Sequence, residues 1–395
     1  MASTAPFADY RDPDPFVAEV ASHRFTLYPA GCDRLDALLE MIGSAQHSLE
    51  LAYYMFLDDA EARRVRDALA AAARRGVSVA VIVDRFGTDA PDGFFAPITA
   101  EGGRFAFFSA NWNLRYLIRN HQKFVIADGS HVMIGGANVA RDYFAAPQEG
   151  GWTDLSMAIS GPVVADFSRW FVQLEQWTAT PGAQLRALRK LLREWDPGEG
   201  PVQLLLGGPT RVPSSWARRV KRDLLKVSRL DMVMAYFSPP RSYRRAMARI
   251  ARRGQARLVM ASKSDNGATI GAARLLYRKL LRAGVAIYEF LPAKLHMKLI
   301  VADDATYVGS ANFDMRSLRL NLELMLRVED AGFAAQMRGL VDTLAGAAEP
   351  ITPAEYRRKR SWLRGWQWRL SWFLVSVVDY TVTRRLNFGL DDAAD

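Results

Sequence analysis

The chain has 395 residues, 50% of them hydrophobic and 24% charged, a balance that excludes a largely disordered protein and leaves room for two domains with substantial cores. A single cysteine, Cys32, excludes an intramolecular disulfide framework and a cysteine-built zinc site. The net charge of +10 favours an anionic partner: nucleic acid, an anionic membrane surface or a phosphorylated substrate.

In chain order, the opening "MASTAPFADYRDPDPF" lacks the basic region and apolar run of a secretory signal. No stretch of eighteen apolar residues follows anywhere, so no spanning helix is expected. "LAYYMFL" (51–57) is an apolar strand ending in aromatics, and "AAARRGVSVAVIVDRFG" (71–87) is the basic end of an amphipathic helix, a Gly stop and a buried strand. "NHQKFVIADGSHVMIGGAN" (120–138) is a strand, a turn at Asp128, a second strand and a Gly-Gly-x-Asn close. Alternate residues of a strand share a face, which places His121 and Lys123 together. Pro and Gly cluster at "WDPGEGPVQ" (195–203), a boundary signal.

Beyond that boundary the same elements return in the same order. "VMAYFSP" (233–239), "ARIARRGQARLVMASKSD" (248–265) and "KLHMKLIVADDATYVGSANFDMRSL" (294–318) repeat the three stretches above. The pattern predicts an α/β chain of two duplicated units, 1–197 and 198–350, each a mixed sheet flanked by helices, followed by a tail over 351–395. Related by a pseudo-twofold axis, the two halves would bring His121 and Lys123 together with His296 and Lys298 around one phosphate. The glycines would let backbone approach the ligand, and Asn138 and Asn312 would sit at helix starts suited to anions. This set suits phosphodiester transfer through a phosphohistidine: one imidazole attacks phosphorus, the other protonates the leaving alkoxide, and lysines and asparagine amides stabilise the non-bridging oxygens. No acidic cluster with metal-ligand spacing accompanies the motif, so neither metal nor cofactor is expected.

The duplicated His-x-Lys-x4-Asp motif with its Gly-Gly/Ser-x-Asn close resembles the phospholipase D superfamily: His121, Lys123, Asp128, Gly135 and Asn138, then His296, Lys298, Asp303, Gly309 and Asn312. The resemblance spans roughly residues 22 to 330 and implies two phospholipase D-like domains sharing one active site. It adds Asp128 and Asp303 to the catalytic set, although both have the opposite strand parity to the histidines and read as turn residues that fix the hairpin. Six residues separate Asp128 from Gly135 and five separate Asp303 from Gly309, a loss that belongs in the turn. By the same analogy His121 is the nucleophile and His296 the general acid, an order the sequence itself leaves open. The family further implies a later carboxylate that orients each histidine: Asp154 in "GWTDLSM", read as the partner of His121, and Glu323 in "LNLEL".

"GSANFDMRSLRLNLEL", "AYFSPP" and "ASKSDN" resemble the bacterial cardiolipin synthases, which implies that two phosphatidylglycerol molecules are joined with loss of glycerol. The tail "RRKRSWLRGWQWRLSWFLVSVV" (357–378) carries a helical stripe of Leu363, Trp366, Leu370, Phe373, Leu374 and Val377 opposite Arg360, Arg364, Gln367 and Ser371. It reads as a monotopic anchor on anionic phospholipid or as a helix packed on the body. The expected placement is peripheral, on the cytoplasmic face of a bacterial inner membrane, with no nucleic-acid partner and an oligomeric state left open. His23, His47 and His131 read as structural, and Lys263 with Asp265 as a surface ion pair. The rival readings are a nuclease or phosphodiesterase, a hydrolytic phospholipase D, and a non-catalytic membrane-binding protein.

Overall fold

The computed structural model describes residues 10–91, 93–108, 118–182, 184–264, 267–360 and 362–374; Asp265 and Val377 lie outside them. The first lobe supplies strands β1 (Phe16–Val20), β2 (His23–Tyr28), β3 (Ser48–Tyr53), β4 (Ser78–Asp84), β5 (Arg104–Phe108), β6 (Lys123–Ala127), β7 (His131–Gly135), β8 (Trp152–Thr153) and β9 (Ser156–Ser160). The second supplies β10 (Val202–Gly207), β11 (Arg229–Met234), β12 (Phe237–Ser238), β13 (Gln255–Ala261), β14 (Ala286–Phe290), β15 (Lys294–Leu295), β16 (Lys298–Ala302), β17 (Ala305–Gly309), β18 (Phe313–Asp314), β19 (Glu323–Glu329) and β20 (Ala348–Pro350).

Each lobe is built on an eight-stranded mixed sheet, in the order β1-β2-β9-β7-β6-β3-β4-β5 and β10-β19-β17-β16-β11-β13-β14-β20. Seven strands correspond, with β3, β4 and β5 parallel like β11, β13 and β14. The eighth differs: β1 extends the first sheet beside β2, whereas β20 closes the opposite edge of the second, beside β14.

The helices of the first lobe are α1 (Gly31–Ser44), α2 (Ala60–Arg74), α3 (Ala96–Ala100), α4 (Val164–Ala179) and α5 (Leu185–Glu194). Those of the second are α6 (Ser215–Leu224), α7 (Arg241–Arg253), α8 (Gly267–Arg282), α9 (Met315–Arg319), α10 (Ala331–Gly346), α11 (Pro353–Lys359) and α12 (Trp362–Phe373). Local chemistry sets several of their ends. Asp59 caps α2 by accepting from Ala62 N, and Gly76 (φ +92°) turns the chain into β4. Thr352 and Glu355 form a capping box on α11.

Both faces of both sheets are covered, which explains strands that read as unbroken apolar runs. On β6, Phe124 and Ile126 join a core shared with Leu299 and Val301 of β16 and with Phe167 of α4 and Met337 of α10. Val125 and Ala127 face the other way, into a core with α1 and α2. On β16, Ile300 and Ala302 face α6, α7 and α8. The shared core fixes the lobes against each other and so positions a site between them.

Candidate active site

The His-x-Lys segments enter β6 and β16 from the inter-lobe seam, and each is stitched to the opposite lobe. His121 N donates to Leu322 O (2.9 Å), and Leu322 N donates to Arg119 O (2.9 Å). In the corresponding place of the other half, β15 runs parallel to β8, and His296 N donates to Thr153 O (2.8 Å). In each case the residue after the carbonyl acceptor is a carboxylate.

Those carboxylates hold the histidines in a crossed pattern. Glu323 Oε2 lies 3.0 Å from His121 Nδ1, and Asp154 Oδ2 lies 2.8 Å from His296 Nδ1. The pairing of Asp154 with His121 expected from the sequence is therefore corrected: each histidine takes its carboxylate from the other half. Sheet order supplies the reason. Within the first lobe β7 lies between β6 and β9, two strand spacings or about 10 Å apart, whereas the partner lobe's carboxylate strand is hydrogen-bonded directly to the histidine segment.

Lys123 Nζ donates to His121 O (2.6 Å), and Lys298 Nζ stands 2.7 and 3.0 Å from the two ring nitrogens of His296. Lys123, Lys298, Asp154 and Glu323 are almost wholly buried, and the His121 and His296 side chains are 12% and 6% exposed. The electrostatics differ between the halves. Burial lowers the His121 imidazole well below its ordinary value, reinforced by Lys123, Lys298 and Arg119. Burial and then Lys298 bring His296 down to about 4, against the pull of Asp154. Burial pushes Glu323 up to about 7 despite Lys123 and Ser310, and brings Lys123 down to about 7. Burial also opposes the Asp154 charge, but Lys298 and His296 outweigh it and hold that carboxyl at about 2.

The glycines serve this packing rather than the approach of a ligand. A Cβ on Gly136 would sit 2.4 Å from Asp154 Oδ1, and one on Gly309 would sit 2.3 Å from Leu324 O. Ser310 stands where Gly136 does, and its hydroxyl donates to Glu323 Oε2 at 2.5 Å. Neither asparagine begins a helix, contrary to the sequence expectation: α9 is capped by Asp314, and Asn138 lies in a loop where it accepts from Met55 N (3.2 Å) and donates to Tyr143 Oη (2.8 Å). Asn312 is buried, and its Oδ1 has no partner among the described residues.

Asp128 and Asp303 lie at the far ends of their strands. Both have positive φ (+52° and +45°), and both collect backbone donors. Asp128 accepts from Gln46, His47 and Ser48 N, and Asp303 from Ser228 and Arg229 N. The shorter second turn has lost its residue between β16 and β17, and Asp303, not Asp304, is the counterpart of Asp128.

Several residues at the site carry no short-range signal. Arg34 is fully buried and donates to Tyr143 O (2.8 Å), Trp152 O (3.0 Å) and Asp154 O (2.9 Å), fixing the segment that carries Asp154. Asp84 accepts from Asn120 N at 2.6 Å, and burial raises its carboxyl to about 6. Gln122 bridges Trp170 Nε1 (2.9 Å) and Glu323 O (3.3 Å). Tyr54 packs on His121 with ring centroids 4.9 Å apart, and Tyr143 and Trp152 pack on His296 at 5.1 and 5.3 Å. Trp152 Nε1 is buried without a partner among the described residues.

Comparison with known proteins identifies the family and the fold. The family profile described as "Cardiolipin synthase, PLD-like domain" matches residues 38–174 and 223–344. Cardiolipin synthase A of Pseudomonas syringae pv. syringae is 30% identical over 352 residues, covering 86% of this chain and 72% of that protein. Cardiolipin synthase A of Pseudomonas aeruginosa is 28% identical over 352 residues, covering 86% and 71%. Among solved structures, phosphatidylserine synthase of Haemophilus influenzae Rd KW20 superposes with a TM-score of 0.74 at 14% identity, covering 94% of this chain and 96% of that one.

Proposed function

We propose that this chain, which belongs to the family of cardiolipin synthase, PLD-like domains, transfers a phosphatidyl group from one phosphatidylglycerol to another, releasing glycerol and forming cardiolipin. The observation that carries the reading is the pair of buried His-Lys sets joined across the seam by Glu323 and Asp154, in a chain similar to cardiolipin synthases over most of its length.

The asymmetry of the two halves supports a division of roles. His121, beside Lys123, Lys298 and Arg119, is kept neutral and has its Nδ1 directed to Glu323, which leaves Nε2 to attack phosphorus. His296, whose Nδ1 faces the firmly ionised Asp154, serves as the acid that protonates the departing glycerol alkoxide. Lys123 and Lys298 stabilise the non-bridging oxygens in a buried site where such charges act strongly. In the second step the hydroxyl of another phosphatidylglycerol attacks phosphorus, the phosphorus–nitrogen bond breaks, and the hydroxyl proton returns to His296.

Helix α12 gives this reaction a lipid-facing surface. It packs on α8 through Trp368 and Ser371, where a Cβ on Gly271 would meet Ser371 Oγ at 2.7 Å. Its Trp362, Leu363, Trp366, Leu370, Phe373 and Leu374 remain exposed, next to Arg357, Arg358, Arg364 and Arg369. Apolar residues bordered by arginines suit the headgroup level of an anionic bilayer. No helix among the described residues is long and apolar enough to cross a membrane.

Purified protein incubated with phosphatidylglycerol vesicles and a chelator is expected to yield cardiolipin and free glycerol. Phosphatidic acid alone would make it a hydrolase, and DNA cleavage without lipid turnover would refute the reading.

A further inference from the structure

Once His121 carries the group, the side from which an acceptor arrives is set. Displacement at phosphorus runs in line, so the acceptor oxygen enters opposite the bond to His121 Nε2, on the side where His296 stands. The new oxygen–phosphorus bond forms, the electron pair of the phosphorus–nitrogen bond returns to His121, and the hydroxyl proton goes to His296. What lines the His296 side therefore selects the hydroxyl that is used.

Lys294 stands on that side. It precedes His296 by two residues, and Leu295 between them joins the core shared by the two sheets, so Lys294 and His296 lie on the opposite face, about 6.6 Å apart along the strand. The pairing of β15 with β8 sets Lys294 beside Trp152. Its Nζ lies 4.9 Å from the centre of the Trp152 ring, which packs on His296 at 5.3 Å. Lys294 makes no hydrogen bond or ion pair among the described residues. Its counterpart in the first copy, Arg119, two residues before His121, is engaged by Tyr54 and has the Asp84 carboxylate close by. Beside Trp152, Tyr143 and Ala140 with the partly buried Met55 and Leu57 make an apolar wall.

We propose that Lys294, seated over Trp152, binds the phosphodiester of the acceptor, an anionic phospholipid with a free headgroup hydroxyl, and so selects it over a neutral alcohol. In phosphatidylglycerol one oxygen and three carbons separate phosphorus from the attacking hydroxyl, a reach comparable with the two-residue step between Lys294 and His296. The acceptor role rests on the function proposed above; the anion contact rests on the ammonium that no carboxylate pairs among the described residues. An ammonium beside an apolar wall suits an amphiphile. Trp152 and Tyr143, 7% and 3% exposed, offer no open face for stacking bases, which argues against a nucleic-acid strand.

The test lets two acceptors compete for one intermediate on the full chain. The donor is the p-nitrophenyl ester of dioctanoyl phosphatidic acid, and monomeric dihexanoyl phosphatidylglycerol and glycerol are supplied together. The ratio of cardiolipin to dioctanoyl phosphatidylglycerol formed depends neither on how much protein is folded nor on the first step. It should fall about 10- to 100-fold in Lys294→Gln through loss of a charged hydrogen bond, be kept by Lys294→Arg, and stay within about twofold of wild type in Arg119→Gln. A ratio unchanged in Lys294→Gln, or lowered in Arg119→Gln instead, overturns the proposal. Failure of the function proposed above shows separately, as wild type that yields phosphatidic acid and uses neither acceptor. The anion contact then stands if phosphatidylglycerol slows that hydrolysis in wild type and not in Lys294→Gln, and equal rates in the two overturn it.

Discussion

The two halves carry the same motif but hold their histidines differently. At His296 the carboxylate belongs to Asp154, is ionised down to about 2, and passes over Gly136, where no side chain stands. At His121 the carboxylate belongs to Glu323, is pushed by burial up to about 7, and takes a hydrogen bond from Ser310, the residue in the place of Gly136. The duplicated unit thus differs by one residue beside each carboxylate, the difference on which the proposed division between an attacking and a proton-donating imidazole would rest.

Exchanging the roles is the sharpest way to break this comparison. His121→Ala should remove turnover of every phosphodiester, by about 10⁴-fold or more. His296→Ala should cost about 10²- to 10⁴-fold with an alkyl leaving group but much less with p-nitrophenol, which departs without a proton. Steady-state rates on the two substrates read this split, and an equal loss for both variants on both would contradict the assignment. Asp154→Asn should lower turnover by about 10²- to 10⁴-fold, by analogy with the triad carboxylate that sets a histidine's tautomer.

Smaller effects sharpen the same contrast. Gly136→Ala places a methyl group 2.4 Å from Asp154 Oδ1 and should reduce kcat by about 10- to 100-fold by displacing that carboxylate. Ser310→Ala removes a donor to the charged form of Glu323, so that carboxyl should titrate still higher. The wild-type rate should peak near pH 7, falling below it as Glu323 gains a proton and His121 loses its anionic acceptor, and above it as Lys123 loses its charge. In Ser310→Ala the acid limb should move to higher pH while the alkaline limb stays, which narrows the optimum and lowers its height. Asp128→Ala should lower stability by about 1–3 kcal/mol through the lost turn hydrogen bonds and change kcat by less than about twofold, as thermal melting and rates would show.

Much of this was legible in the chain because it is written twice. The repeat of "HQKFVIADG" as "HMKLIVADD" gave the strand, the turn and the second strand in both lobes, and parity placed Asp128 and Asp303 in turns rather than beside the histidines. The crossed pairing was not legible, because which carboxylate meets which histidine depends on how two sheets dock, and no periodicity within either lobe encodes that. Arg34, which donates to Pro29 O nearby but to three other carbonyls 109 to 120 residues away, is hidden for the same reason. The glycines misled because a close approach in sequence terms does not say to what: the neighbour is Asp154 or a strand carbonyl. In the tail, the stripe of exposed Leu and Trp was visible as a helical pattern, while the Gly271 notch that seats Trp368 and Ser371 was not.

The central claim is that His121 carries the phosphatidyl group. Protein mixed with phosphatidylglycerol labelled at phosphorus, quenched within one turnover and digested under alkaline conditions that preserve phosphohistidine, should yield label on the peptide containing His121. Label on the peptide containing His296, or cardiolipin formed with no labelled peptide at any time, would contradict it.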